Sequence, residues 1–149
     1  MTIPRQQRGA VLSPCRTWRY LLWRRFASGP AVVFIGLNPS TADETEDDPT
    51  VRRCIGFARR WGFGEMRLLN LCAGRSTCPQ GLWRLPDPIG PDQERYWELG
   101  LMGARKVVCC WGTQGHFWVQ QSWLARLRRR CVLWCLGRNR QGMPRHPLY

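Results

Sequence analysis

Four short, largely continuous apolar runs limit what this chain can fold into: AVVFIGL (31–37), MRLLNLCA (66–73), KVVCCWG (106–112) and CVLWCLG (131–137). None alternates strictly between polar and apolar residues, so none reads as a strand with one wet face. A brief apolar run bounded by turn residues is the form of a strand buried on both faces of a parallel sheet. Helical spacing fills the gaps between them. Asp48 and Pro49 supply an N-cap and a first-turn proline, after which Val51, Cys54, Ile55 and Ala58 repeat on one face up to Gly62. Pro91 to Ala104 forms a second helical stretch, with Asp92 and Glu94 near its start as the macrodipole favours. Gly115 to Arg130 forms a third, with Val119, Trp123 and Leu127 stacked and four arginines near its end. Earlier, AVLSPCRTWRYLLWRRF (10–26) predicts two strands around Ser13-Pro14. These patterns predict one domain over residues 1–149: a three-layer α/β/α fold with a central four-stranded parallel sheet (32–37, 67–71, 106–111, 132–136), plus a short N-terminal β-hairpin.

The bulk numbers narrow the function classes. A chain of 149 residues that is 44% hydrophobic, with nine tryptophans, buries enough surface to fold as one domain. It has no run of eighteen apolar residues, and MTIPRQQRGAVLSPCR lacks the apolar core of a signal peptide, so a cytoplasmic monomer without membrane contact is expected. Eight cysteines occur without a C-x-x-C pair, which favours reduced thiols acting as small hydrophobes in core runs. Neither a disulfide, a metal nor a cofactor is expected. Against ten carboxylates stand 22 arginines and Lys106, a net charge of +13. That excess is the electrostatic footprint of a phosphate-rich partner, and arginine forks onto phosphate as lysine does not. Nucleic acid, DNA rather than RNA, is the expected partner.

Right-handed crossovers place the carboxyl ends of parallel strands on one edge, where open α/β sheets bind ligands. The segments leaving the four runs are Gly36-Leu37-Asn38-Pro39-Ser40, Asn70-Leu71, Trp111-Gly112-Thr113 and, after Gly137, Arg145-His146-Pro147. Singly, each has a plain explanation: Asn38-Pro39 as a turn, Asn70 as a partner for buried backbone, His146 as a surface residue. Together, at four strand ends, they predict a site. Beside it lies an acidic cluster, Asp43, Glu44, Glu46, Asp47 and Asp48, holding five of the ten carboxylates. Asp47 and Asp48 read as a helix cap, a general base or a metal ligand.

The order Gly-Leu-Asn-Pro, Asn-bearing strand, Trp-Gly turn and His-Pro resembles the uracil-DNA glycosylase superfamily. The wider string NPSTAD…DDPT…RC…FA…WG…NL…DP.G…WG..G…LG…G.PRHPLY resembles the domain of unknown function 1643 family over nearly the whole chain. The first resemblance implies a uracil-DNA-glycosylase-like fold and hydrolysis of the N-glycosidic bond to a modified or unmodified pyrimidine. It implies that Asn38 positions the water, His146 donates to the developing oxyanion of the base, and Asn70 hydrogen-bonds the edge of a flipped pyrimidine. Gly36 would allow close backbone approach, Ser40 and Trp111 would line the substrate, and Asp48 is a further catalytic candidate. Arg52, Arg53, Arg138, Arg140 and Arg145 would flank the mouth and hold phosphates, with Arg52 and Arg53 oriented by the acidic cluster. The superfamily carries duplex-wedging residues beyond His-Pro where only Leu148 and Tyr149 follow here. The family favours Asp where this chain has Cys78. Two alternatives therefore stand: a hydrolase or transferase of free nucleosides or nucleotides, and a non-catalytic nucleic-acid-binding module that senses a modified base.

Overall fold

A computed structural model of the chain describes residues 2–5, 7–119 and 123–149. Its centre is a six-stranded mixed sheet built from β1 (Arg8–Leu12), β2 (Arg19–Arg25), β3 (Ala31–Gly36), β4 (Glu65–Asn70), β5 (Ala104–Cys109) and β6 (Trp134–Cys135). The spatial order is β1-β2-β4-β3-β5-β6. Strands β3 and β4 run parallel from Ala31 opposite Glu65 to Gly36 opposite Asn70, and β5 and β6 continue in the same direction. The fold is thus mixed α/β, and the runs at 31, 66 and 106 supply its parallel centre.

The hairpin departs from expectation. Rather than standing apart, it extends the same sheet, because β2 pairs antiparallel with β4 from Leu22 opposite Leu68 to Arg25 opposite Glu65. All of β2 except Arg25 is buried, including Arg19 and Arg24. Two arginines in an interior strand disguise it as a surface segment.

Side chains alternate between two cores. On one face Val32, Phe34, Met66, Leu68 and Val108 meet Val51, Cys54 and Ala58 of helix α1 (Pro49–Arg60). On the other face Val33, Ile35, Leu69 and Val107 meet Trp97 and Leu99 of α2 (Gln93–Leu101). Trp118 of α3 (Gly115–Trp118) and Leu124 and Leu127 of α4 (Leu124–Leu127) complete that second core. Helices therefore cover both faces, as central strands without a polar side require.

Two further expectations need correction. The helix expected over 115–130 is described as α3 and α4, two short pieces, with 120–122 outside the described residues. Its terminal arginines meet carboxylates of α2, Arg126 with Glu94 at 3.0 Å and Arg130 with Glu98, so ion pairing accounts for those two. The strand expected over 132–136 shrinks to two residues at the sheet edge, where Val132 and Trp134 are 73% and 54% exposed. An outermost strand has one neighbour only, and Lys106 lies over the bare Trp134 ring at 4.5 Å. Among the described residues no helix is long and apolar enough to cross a membrane.

Candidate ligand cavity at the carboxyl edge of the sheet

A cavity of about 690 Å³ lies where β3, β4 and β5 end, within the range that encloses small organic ligands. Gly36, Asn38, Ser40, Asp48, Asn70, Trp111, Arg145 and His146 all line it, although they are scattered along the chain. Arg52, Arg53, Arg138 and Arg140 do not line it. Arg52 donates from Nη1 to the Asp47 carbonyl (2.9 Å). Arg53 donates from Nε to the Pro147 carbonyl (3.3 Å) and packs over Phe57, so it props the segment carrying His146. Arg138 faces a separate pocket beside Met143 and Pro144, and Arg140 is exposed on a turn. Only Arg145 of the five is at the cavity, and its guanidinium donates to the Tyr149 backbone oxygen.

The polar groups facing the cavity have assigned directions. The Asn38 amide donates to the carbonyls of Pro39 (3.0 Å) and Ser76 (2.9 Å), which fixes its orientation and leaves Oδ1 to accept. At Asn70 the reverse holds. Its Oδ1 accepts from Arg19 Nη2 (3.3 Å), so the NH2 remains as donor. That Nδ2 would lie 2.9 Å from a Cβ at position 36, which explains the glycine there. The strand end is clamped by Gln93 Nε2 and Trp97 Nε1, both donating to the Asn70 carbonyl. His146 Nδ1 accepts from the Leu148 N–H (3.2 Å), placing the ring proton on Nε2. Burial lowers the His146 pKa, opposed by the Asp48 carboxylate, so the ring is neutral at pH 7. Asp48 is first a cap: Oδ1 accepts from the Val51 N–H (2.9 Å) and Oδ2 from the Ala42 N–H (3.3 Å). Backbone donors thus engage both oxygens of the proposed general base.

The acidic cluster serves other arginines than expected. Its carboxylates pair with Arg16 and Arg24 of the hairpin rather than with Arg52 and Arg53. Arg16 binds Glu44 (2.7 Å) and lies 3.6 Å from Asp43, while Arg24 Nε donates to Asp47 (2.7 Å). Thus the negative charge ties the loop after β3 to the β1–β2 turn and to β2. Arg19 is the charged side chain among the cavity residues that sequence reasoning missed. It lines the cavity while only 2% exposed, and an arginine opening the otherwise apolar YLLW run was the available signal.

The thiols divide evenly between core and elsewhere. Cys54, Cys72, Cys109 and Cys110 are buried, whereas Cys15, Cys78 and Cys135 are exposed and Cys131 is intermediate. Burial pushes Cys72 and Cys109 up to about 12, which leaves them inert. Hydrogen bonding by Thr17 and Ser13 brings exposed Cys15 down to about 7.

Fold and cavity together define a mixed α/β domain with a cavity at the carboxyl edge of its parallel strands. Residues 19–148 match the family described as "Protein of unknown function (DUF1643)", and the chain belongs to that family. No curated protein and no solved structure matches it.

Proposed function

We propose that the protein hydrolyses the N-glycosidic bond of a pyrimidine nucleotide in DNA, on a sheet of the uracil-DNA glycosylase kind. One observation supports this most: an acceptor (Asn38 Oδ1) and two donors (Asn70 NH2, His146 Nε2–H), carried by the ends of β3 and β4 and by the C-terminal segment, line one cavity. The C1′–N bond breaks with its electron pair on the base, leaving an oxocarbenium sugar. Asn38 Oδ1 accepts from a water and aims its lone pair at C1′; the proton released on attack passes to solvent. The neutral imidazole of His146 donates to the base oxygen on which charge builds, and Asn70 holds the base edge. A donor placed where charge develops is worth about a hundredfold or more in rate. Asp48 shapes this site through its backbone bonds, and its carboxylate lines the cavity beside them.

A single-stranded substrate suits the surroundings. Pro79 and Gln114 line the cavity and adjoin the segments bearing Trp83 and Phe117, whose exposed rings lie 4.8 Å apart. Such rings can stack flanking bases. Incubation with single- and double-stranded oligonucleotides carrying varied pyrimidines, followed by alkaline cleavage at abasic sites, tests the proposal. Cleavage by the wild type that drops at least about a hundredfold in Asn38→Ala and His146→Ala is expected. The position of Arg52, Arg53, Arg138 and Arg140 away from the cavity favours, as a second reading, free nucleosides or nucleotides as substrates. Base release from nucleotides with intact oligonucleotides would establish that one instead.

A further inference from the structure

We propose that the inner end of the cavity is an oxyanion subsite centred on Arg19, so that the substrate carries a carboxylate or phosphate which this guanidinium receives. The inference rests on the pyrimidine reading above for the rest of the ligand. Three deeply buried arginines allow a comparison within one molecule. Arg24 reaches the Asp47 carboxylate at 2.7 Å, and Arg67 reaches that of Glu65 at 3.1 Å. Arg19, equally buried, has only neutral acceptors: Nη1 donates to the Ala42 carbonyl (3.0 Å) and Nη2 to Asn70 Oδ1 (3.3 Å). Its Nε has no hydrogen-bond partner among the described residues. Asp48 is the chief opposing charge, but its two oxygens already accept from backbone N–H groups. A charge withdrawn from water without a paired counter-charge is costly, and the space next to it is a cavity.

A second unpartnered donor belongs to another wall of the same cavity, beyond the end of β5. Trp111, 4% exposed, lines the same cavity, and its Nε1 also lacks a partner among the described residues. Arg75, whose charge reaches Arg19, adds to the positive field while it holds the Ser40 and Thr41 carbonyls. Burial lowers Arg19 to about 10, which leaves it charged at neutral pH. Around Arg19 itself the hydrogen-bond acceptors are neutral, and an anion in the cavity would supply the counter-charge.

The test compares charged and neutral probes by calorimetry in low salt. Uracil against 5-carboxyuracil and 6-carboxyuracil examines a carboxylate on the base; uridine against its 5′-monophosphate examines a phosphate on the sugar. One charged probe should bind at least about tenfold more tightly than its neutral partner, and the pair that shows it identifies the source of the oxyanion. Arg19→Met should abolish that difference, and Arg19→Lys should keep part of it. The wild-type comparison stands even if Arg19→Met fails to fold. Equal binding of charged and neutral probes would overturn the subsite and leave the pyrimidine reading intact. Binding of inorganic phosphate, weakened in Arg19→Lys and lost in Arg19→Met, without binding of uracil or uridine would support the subsite and remove the pyrimidine reading. No binding of any probe would overturn both.

Discussion

Arg24 uses every donor it has. Nε meets Asp47, Nη1 meets the carbonyls of Gly9 and Trp23, and Nη2 meets those of Asp43 and Glu46. Truncation to Met would strand Asp47 and two loop carbonyls, so Arg24→Met should cost about 3–5 kcal/mol in urea unfolding. The loop after β3 should also become protease-sensitive. His146 makes a pH prediction. Burial holds its folded pKa below the ordinary value of about 6.5, so on acidification the unfolded chain takes the proton first. Stability is therefore complete above about 6.5 and is lost below it, until the folded ring protonates as well. Urea midpoints from pH 8 to 5 should show this fall in the wild type and a flatter course in His146→Gln. Asn38 and Asn70 were legible in sequence because they stand at the ends of apolar strands whose direction fixes a shared edge, and His146 because its His-Pro pair closes the motif order. Arg19 was not, because its meaning depends on which carboxylates its neighbours have already engaged.

At the scale of elements, α1 was the most readable. Asp48-Pro49 announces its start, and Val51, Cys54 and Ala58 are the buried stripe. Asp48→Ala removes the cap and the bond to the Ala42 N–H together, and should cost about 1–2 kcal/mol in thermal unfolding. The last strand was the least readable. CVLWCLG is as apolar as the inner runs, but composition cannot tell an edge strand from a central one when tryptophan and valine stay exposed on it. Strand β2 erred in the opposite direction. Arg24 belongs inside only because Asp47 of the acidic loop, distant in sequence, reaches it.

Over the whole molecule, Asp43, Glu44, Asp47, Glu65, Glu94 and Glu98 all enter internal ion pairs, so most of the acid is matched within the fold. The chain's net charge stays at +13, of which Arg19, without an ion pair among the described residues, is buried. Oligonucleotide affinity should fall with salt by about 0.7–0.9 in log–log slope for each phosphate met. Arg140→Ala, outside the cavity, should reduce that slope without altering base preference, whereas Asn70→Ala should blunt preference and leave the slope unchanged. The position of β1 carries a last consequence. The family match begins at Arg19, within the hairpin, so the stretch recognised across relatives is shorter than the sheet it completes. A fragment starting there keeps every cavity residue, yet it uncovers the β2 edge along Tyr20 to Trp23, and the Trp23 indole loses the Gly9 backbone on which it lies. Bare, apolar strand edges recruit one another. Light scattering should therefore show residues 19–149 clouding as concentration rises while the whole chain stays clear, which makes the first eighteen residues the molecule's own guard against aggregation.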